Sequence, residues 1–466
     1  MIKRLVEKVH HGVRSLLAGK PRSRRTPKRY GASEHGIDKA RVSRGALRTC
    51  ETLQAAGFRA YLVGGAVRDL LLGLTPKDFD VATDATPEQV KARFRRAIII
   101  GRRFRLVHVI FGSETIETST FRSLGGGERD KDEHGRVLAD NVFGEQHEDA
   151  ARRDFTVNAL YYDPGSGEVL DYHNGVSDLR KRRLRIIGEP EARYREDPVR
   201  MLRVVRFAAK LGFEIDARTR EPIGRLAHLI ENVPAARLFD EMLKLLTSGH
   251  SVACIERLRA EGLHHGLLPL LDVILEQPEG ERFVMLALSR TDERVRAGRH
   301  IAAGFLFATL LWHEVLAQWK ARTDRGEPRI PALESAIDQV LDAQAEKLSL
   351  QRRYCADMRE IWLLQPRFER RNGAAPLRLV EHLRLRAGYD FLLLRCDCGE
   401  IDEELGRWWT AFLDADAAER ERMTQKAEPA PAAGSGTRRR RRGGARRRKG
   451  AGEEGPEQGE HAERET

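Results

Sequence analysis

Apolar and charged positions alternate with helical spacing from residue 38 to Gly57, which predicts a helix with a glycine stop. The period then shortens. Arg59 to Val63 (RAYLV) predicts a short buried strand, Gly64-Gly65 a turn, Ala66 to Leu72 a helix closed by Gly73, and Phe79 to Ala82 a second strand. Thr86-Pro87-Glu88 reads as the opening of another helix, with Thr86 as N-cap, running to about Ala97. Stretches 97–100, 104–111 and 115–121 are rich in Ile, Val, Thr and Phe and predict three more strands. A charged, Gly-rich loop, Gly125 to Gly135, interrupts this mixed α/β unit. From Asp149 onward helical periodicity dominates, with strand-like exceptions near 157–162, 168–171 and 184–187, and residues 197–425 read as successive helices. Beyond Lys426 the composition turns to Ala, Pro, Gly and Arg, then Glu and Gly, and cannot build a core.

Charge sharpens this division. The 466 residues carry a net charge of +12, but residues 1–30 alone hold +9 and residues 438–449 another +9, while 451–466 hold −5. The rest of the chain is therefore nearly neutral. Basic ends of this kind attract polyanions, nucleic acid by counterion release or a membrane surface through its potential. Five scattered cysteines with no C-x-x-C spacing imply neither a disulfide framework nor a zinc site and fit a reducing cytoplasm. The longest uncharged apolar stretch, Ile301 to Trp312, is far short of the roughly 20 residues that span a bilayer, so a soluble chain is expected. The leader lacks the apolar block of a secretory signal; its Arg-rich, acid-poor composition is also compatible with an organelle transit peptide. His264-His265 and Cys396-x-Cys398 lack metal-ligand companions and read as structural or surface residues.

Three segments carry candidate chemistry. In GGAVRDLLLGLTPKDFD (64–80), the glycine pair between a strand and a helix lets backbone N–H groups approach an anion such as a triphosphate. If Asp78 and Asp80 lie on a strand they share a face, and two carboxylates held that close call for a cation, for which Mg²⁺ has the right oxygen preference. A lone D-x-D is commonly a surface turn; the preceding Gly-Gly turn and helix make this one specific. In EDAARRDFTVNALYYD (148–163), Asp154 can complete a metal site, accept a proton or merely cap a helix, and Arg153 can neutralise phosphate charge. Glu117, in the strand ETIETSTF, is a rival third acid that strand alternation does not separate from Asp154. In REDPVRMLRVVRFAAKLGF (195–213), Asp197 and Pro198 suit a helix start, while Arg200, Arg203 and Arg206 form a stripe. Asp197 and Arg200, at i and i+3, can together bond the polar edge of a base, although a solvated arginine face explains the stripe equally well.

These segments, in this order, resemble the class II tRNA nucleotidyltransferase and bacterial poly(A) polymerase family, within the DNA polymerase β-like superfamily. GGAVRDLLLG with DFD is similar to its first motif, RRDFTVNAL to its second and EDPVRMLRVVRF to its base-recognition motif, over residues 45–240. IIIGRRFRLVHVIFG (98–112), NALYYDPGSGEVLDYHNGVSDL (158–179) and the Arg-rich end resemble the poly(A) polymerases more than the CCA-adding enzymes. No His-Asp dipeptide occurs, so the phosphohydrolase domain of some CCA-adding enzymes is not visible.

The resemblance implies an α+β chain: a mixed α/β, palm-like head over 38–165 after a disordered basic leader (1–37), a neck with the base-recognition helix (166–240), a helical RNA-binding body (241–425) and a disordered tail (426–466). It implies that Asp78 and Asp80 bind two Mg²⁺ ions, that Asp154 is the third active-site acid, and that Gly64, Gly65, Arg68, Arg153, Arg200 and Arg203 contact the nucleotide while Asp197 reads the base. The implied reaction is template-independent addition of AMP from ATP to RNA 3′ ends, marking RNA for decay. CCA addition and a non-catalytic RNA-binding module are the alternatives. Arg438, Arg439, Arg440, Arg441, Arg442, Arg446, Arg447, Arg448 and Lys449 are expected to hold RNA phosphates. A cytoplasmic monomer, with partners among RNA-decay or RNA-chaperone proteins and peripheral membrane contact through the basic ends, completes the expectation.

Overall fold

Ala60–Val63 (AYLV) has almost no polar surface to offer water, and in the computed structural model it is a central strand buried on both faces. The structure describes residues 26–101, 105–124, 142–264, 278–348 and 351–425. The Gly125–Gly135 loop, His265, the tail cluster Arg438–Lys449 and most of the leader lie outside them.

The described residues run through β1 (Lys28–Tyr30), α1 (Arg44–Ala55), β2 (Ala60–Val63), α2 (Gly65–Leu71), β3 (Asp80–Thr83), α3 (Pro87–Arg93), β4 (Ala97–Ile100), β5 (Leu106–Phe111), β6 (Glu114–Thr120), α4 (Gln146–Arg152), β7 (Leu160–Asp163) and β8 (Glu168–Asp171). The eight strands form one mixed sheet in the order β1-β8-β7-β2-β3-β6-β5-β4. Only β3 and β6 are parallel neighbours in it.

Period-two alternation splits the sheet into two faces. Leu62, Val81, Val107, Val109, Ile116 and Val169 point into the main core, where α1 packs on β2, β3 and β6, and α3 on β4 and β5. On the opposite face Val63, Ala82, Phe121, Tyr161, Leu170 and Tyr172 make a smaller cluster closed by Ala150 of α4.

Three expectations are corrected. The leader is not unstructured to residue 37, because Lys28–Tyr30 pairs antiparallel with β8 and Tyr30 is buried. β8 belongs to the same sheet, so the sheet extends past residue 165. α3 stops at Arg93, its capping box at Thr86 and Gln89 intact, because Phe94 turns extended to enter β4.

Helices follow: α5 (Pro190–Glu196), α6 (Val199–Leu211), α7 (Ala235–Leu246), α8 (Ser251–Ala260), α9 (Pro278–Arg296), α10 (Ala303–Asp324), α11 (Arg329–Leu348), α12 (Arg352–Phe368), α13 (Leu385–Asp397) and α14 (Glu403–Asp414). α6 buries Met201, Leu202, Val204, Val205 and Ala208 and closes on Gly212 at φ 63°, as its glycine stop predicts. A second cluster around Phe368, Tyr389, Trp409 and Phe412 closes the C-terminal helices. No helix among the described residues is long and apolar enough to cross a membrane.

Candidate active site

Asp80 opens β3, and the parallel ladder sets it directly against Glu117 of β6. Register decides what alternation alone leaves open: Glu117 is the acid beside Asp80. Asp78 is not on a strand; it lies two residues upstream, exposed, with buried Phe79 anchoring the segment between the two acids. Burial raises the Asp80 carboxyl to about 6, and the charges of Glu117 and Asp78 add to this while Arg153 opposes it. On the next strand His108 faces Glu117, its Nε2 3.6 Å from Oε1.

Next to Asp80 the chain turns through Gly64, at φ 78°. A Cβ there would sit 3.5 Å from Arg153 Nη1 and 3.8 Å from Asp80 Oδ2, so the glycine serves both backbone conformation and close approach. Gly65 begins α2 beside the Arg68 guanidinium. Arg153 donates from Nη2 to Asp149 Oδ2 at 3.2 Å and from Nε to the Tyr161 hydroxyl at 3.3 Å, which in turn donates to Asp149 at 2.7 Å. Burial works against its charge, but Tyr161 and Asp149 more than compensate and raise its pKa.

Arg68 differs from expectation. It is only 3% exposed, donates to Asp69 at 2.8 Å and to Asn158 Oδ1 at 2.7 Å, and so braces the turn from behind rather than facing a ligand.

Asp154 is likewise not gathered with the acids of the sheet. It accepts from Phe155 N–H at 2.8 Å, Asn158 Nδ2 at 3.2 Å and Arg203 Nε at 2.9 Å. Burial pushes its pKa up, but the Arg203 charge and these bonds outweigh it and hold the group below the usual carboxylate range. Glu117 is the acid set beside Asp80, while Asp154, the third acid that the resemblance implies, is engaged by Arg203.

Arg153, Asp154, Asp197, Arg200, Arg203 and Arg237 line one cavity of about 380 Å³, within the size range of small-ligand sites. Asp197 ends α5 instead of capping α6 through its side chain, so its carboxylate is released: Oδ2 accepts from Arg237 of α7 at 2.9 Å. Its Oδ1 is buried with no hydrogen-bond partner among the described residues. Arg200 donates to Glu196 Oε2 at 2.6 Å and to the Arg193 carbonyl at 2.8 Å. Sequence reasoning missed His108 and Arg237; the first is brought in by strand register and the second by the packing of α7 near the end of α5, for which no local pattern exists.

Among the described residues no group of three or more His, Cys, Asp and Glu is already drawn together as a metal cluster. The donor chemistry nonetheless fits a hard divalent cation. Carboxylate oxygens from Asp80 and Glu117 lie on paired positions, and their mutual repulsion is the kind that a bound cation relieves.

Residues 60–185 match the family described as the Poly A polymerase head domain, 212–275 the Probable RNA and SrmB- binding site of polymerase A, and 325–449 the Polymerase A arginine-rich C-terminus. The chain is 43% identical over 406 residues to poly(A) polymerase I of Haemophilus influenzae, covering 85% of this chain and 90% of that one. Likeness to the CCA-adding enzyme of Lactobacillus helveticus, 39% over 206 residues, covers 44% of this chain and 50% of that protein. The crystal structure of the Bacillus stearothermophilus CCA-adding enzyme in complex with CTP superposes with a TM-score of 0.54 at 26% identity, covering 79% of this chain and 82% of that one. A head that pairs two acids beside a glycine turn, joined to helices whose matches run through the arginine-rich C-terminus, places the chain in the bacterial poly(A) polymerase family of nucleotidyltransferases.

Proposed function

We propose that the chain adds AMP from ATP to the 3′-hydroxyl of RNA without a template and releases pyrophosphate. The observation that carries this reading is the β3–β6 register, which sets Asp80 against Glu117 immediately beside the Gly64 turn and Arg153. Asp78, Asp80 and Glu117 would hold Mg²⁺, two ions in the proposed arrangement. When bound, Mg²⁺ lowers the pKa of the attacking hydroxyl and neutralises the triphosphate and its leaving group.

The residues of the chain divide the remaining work. Gly64, Gly65 and Arg153 receive the triphosphate, with Arg68 bracing them. Asp154 fixes Arg203 along the wall of the cavity. Asp197, with its unused Oδ1, and Arg200 face the base. Arg438 to Lys449 supply grip on RNA phosphates, a role read from their charge alone. A cytoplasmic location is in keeping with cysteines that are all free.

Incubating the protein with RNA and each labelled nucleotide separately tests the reading. A long ladder with ATP alone is expected. Strict C-C-A addition to tRNA, or near-normal turnover by Asp78→Ala, would overturn it.

A further inference from the structure

Over β4, β5 and β6 the described residues cover only one face of the sheet. Val107, Val109 and Ile116 are buried in the main core, but Ile98, Ile100, Leu106 and Ile110 on the other face belong to no hydrophobic cluster of described residues. Ile98 is 55% exposed. This open face runs straight into the acids: Ile98, His108, Glu117 and Asp80 occupy one cross-strand row, one residue per strand from β4 to β3. With adjacent strands ~4.8 Å apart, the row spans ~14 Å.

The row has a direction. Gly64 and Arg153, which receive the triphosphate in the proposed reaction, lie on the β2 side of Asp80. An in-line displacement puts the attacking oxygen opposite the leaving group, so the nucleophile must arrive from the β6 side. There the surface changes character. Arg96, two residues before Ile98 and on the same alternation at the head of β4, is exposed and has no carboxylate partner among the described residues. His108 Nε2 is buried with no hydrogen-bond partner there, 3.6 Å from Glu117. An apolar floor with one such cation at its edge suits a stacked base and its outer phosphate.

We infer that the open face of β4–β6 seats the 3′-terminal nucleotide of the RNA primer, with Ile98 as its floor and His108 as a contact next to Glu117. This inference rests on the proposed transfer reaction and goes beyond it by naming the primer side of the site. It assigns the primer end to the head, on the side of Asp80 away from the triphosphate turn.

Steady-state extension of an oligoadenylate by the full-length protein provides the test. Ile98→Glu is expected to raise KM for the primer roughly tenfold while leaving KM for ATP and the melting temperature unchanged. His108→Ala should raise the primer KM as well, with partial rescue by His108→Gln. An Ile98→Glu protein with unaltered primer KM overturns the inference. A photoreactive p-benzoylphenylalanine at position 98 should cross-link to the last nucleotide of a 3′-deoxy RNA. Cross-linking instead to residues 125–141 of the same chain under saturating primer would show that the chain covers this face itself and also overturns it. Failure of the unmodified protein to extend any RNA with ATP sinks the transfer reaction itself, and is visible before any variant is made.

Discussion

Asp80 and Asp154 are both carboxylates flanked by arginine, yet their surroundings drive them in opposite directions. Burial and like charges raise Asp80, whereas Arg203 and a backbone N–H lower Asp154. Asp80→Asn or Glu117→Gln should therefore cut kcat by about a thousandfold, roughly 4 kcal/mol in the barrier, with little change in melting temperature. Asp154→Asn should instead lower the melting temperature and raise the KM for ATP, because it releases Arg203. Equal effects of all three on kcat alone would contradict this division. The pKa of Asp80 also sets a pH dependence. A carboxyl raised to about 6 keeps its proton up to that pH, and a cation must displace it, so Mg²⁺ affinity should rise with pH and level off above about 6. Calorimetry in buffers of different ionisation heat should find about half a proton released per ion at pH 6 and almost none at pH 8. Affinity that is flat across this interval would exclude Asp80 as a ligand.

At the level of elements, what could be read from the chain depended on how local the cause was. The glycine turn at 64–65, the Thr86 N-cap and the Gly212 stop are encoded within a few residues, and all three appear where the pattern places them. β1 was hidden because Lys28–Tyr30 is short and basic and its partner, β8, lies some 140 residues away. The sequence leaves Glu117 and Asp154 undivided for the same reason, since it does not say which strand lies beside β3. Asp197 shows a third kind of failure. It has the chemistry of an N-cap, but Arg237 of α7 competes for its side chain. β1 makes this testable. Tyr30 is 3% exposed, so Tyr30→Ala should destabilise the protein by about 3 kcal/mol in urea unfolding. A change under about 0.5 kcal/mol would mean that the strand is not docked in solution.

Across the whole molecule, charge and chemistry occupy different places. Net +9 sits on residues 438–449, while the acids and the cavity lie between residues 64 and 244. Deleting 437–466 should weaken primer binding and flatten its salt dependence by several units of slope while sparing ATP binding; an unchanged slope would assign the tail to another partner. The division inside the body has a further consequence. Asp80 and Glu117 ride on the sheet, whereas Asp197 and Arg200, the groups proposed to face the base, hang on a joint between helices, the 2.9 Å pairing of Asp197 with Arg237 and the neighbouring Arg206–Glu241 pair at 2.6 Å. In the proposed reaction there is no opposing strand to proofread against. The monotony of the product then depends on the stiffness of that joint, and a single loosened ion pair would turn a one-letter writer into a careless one without slowing its pen.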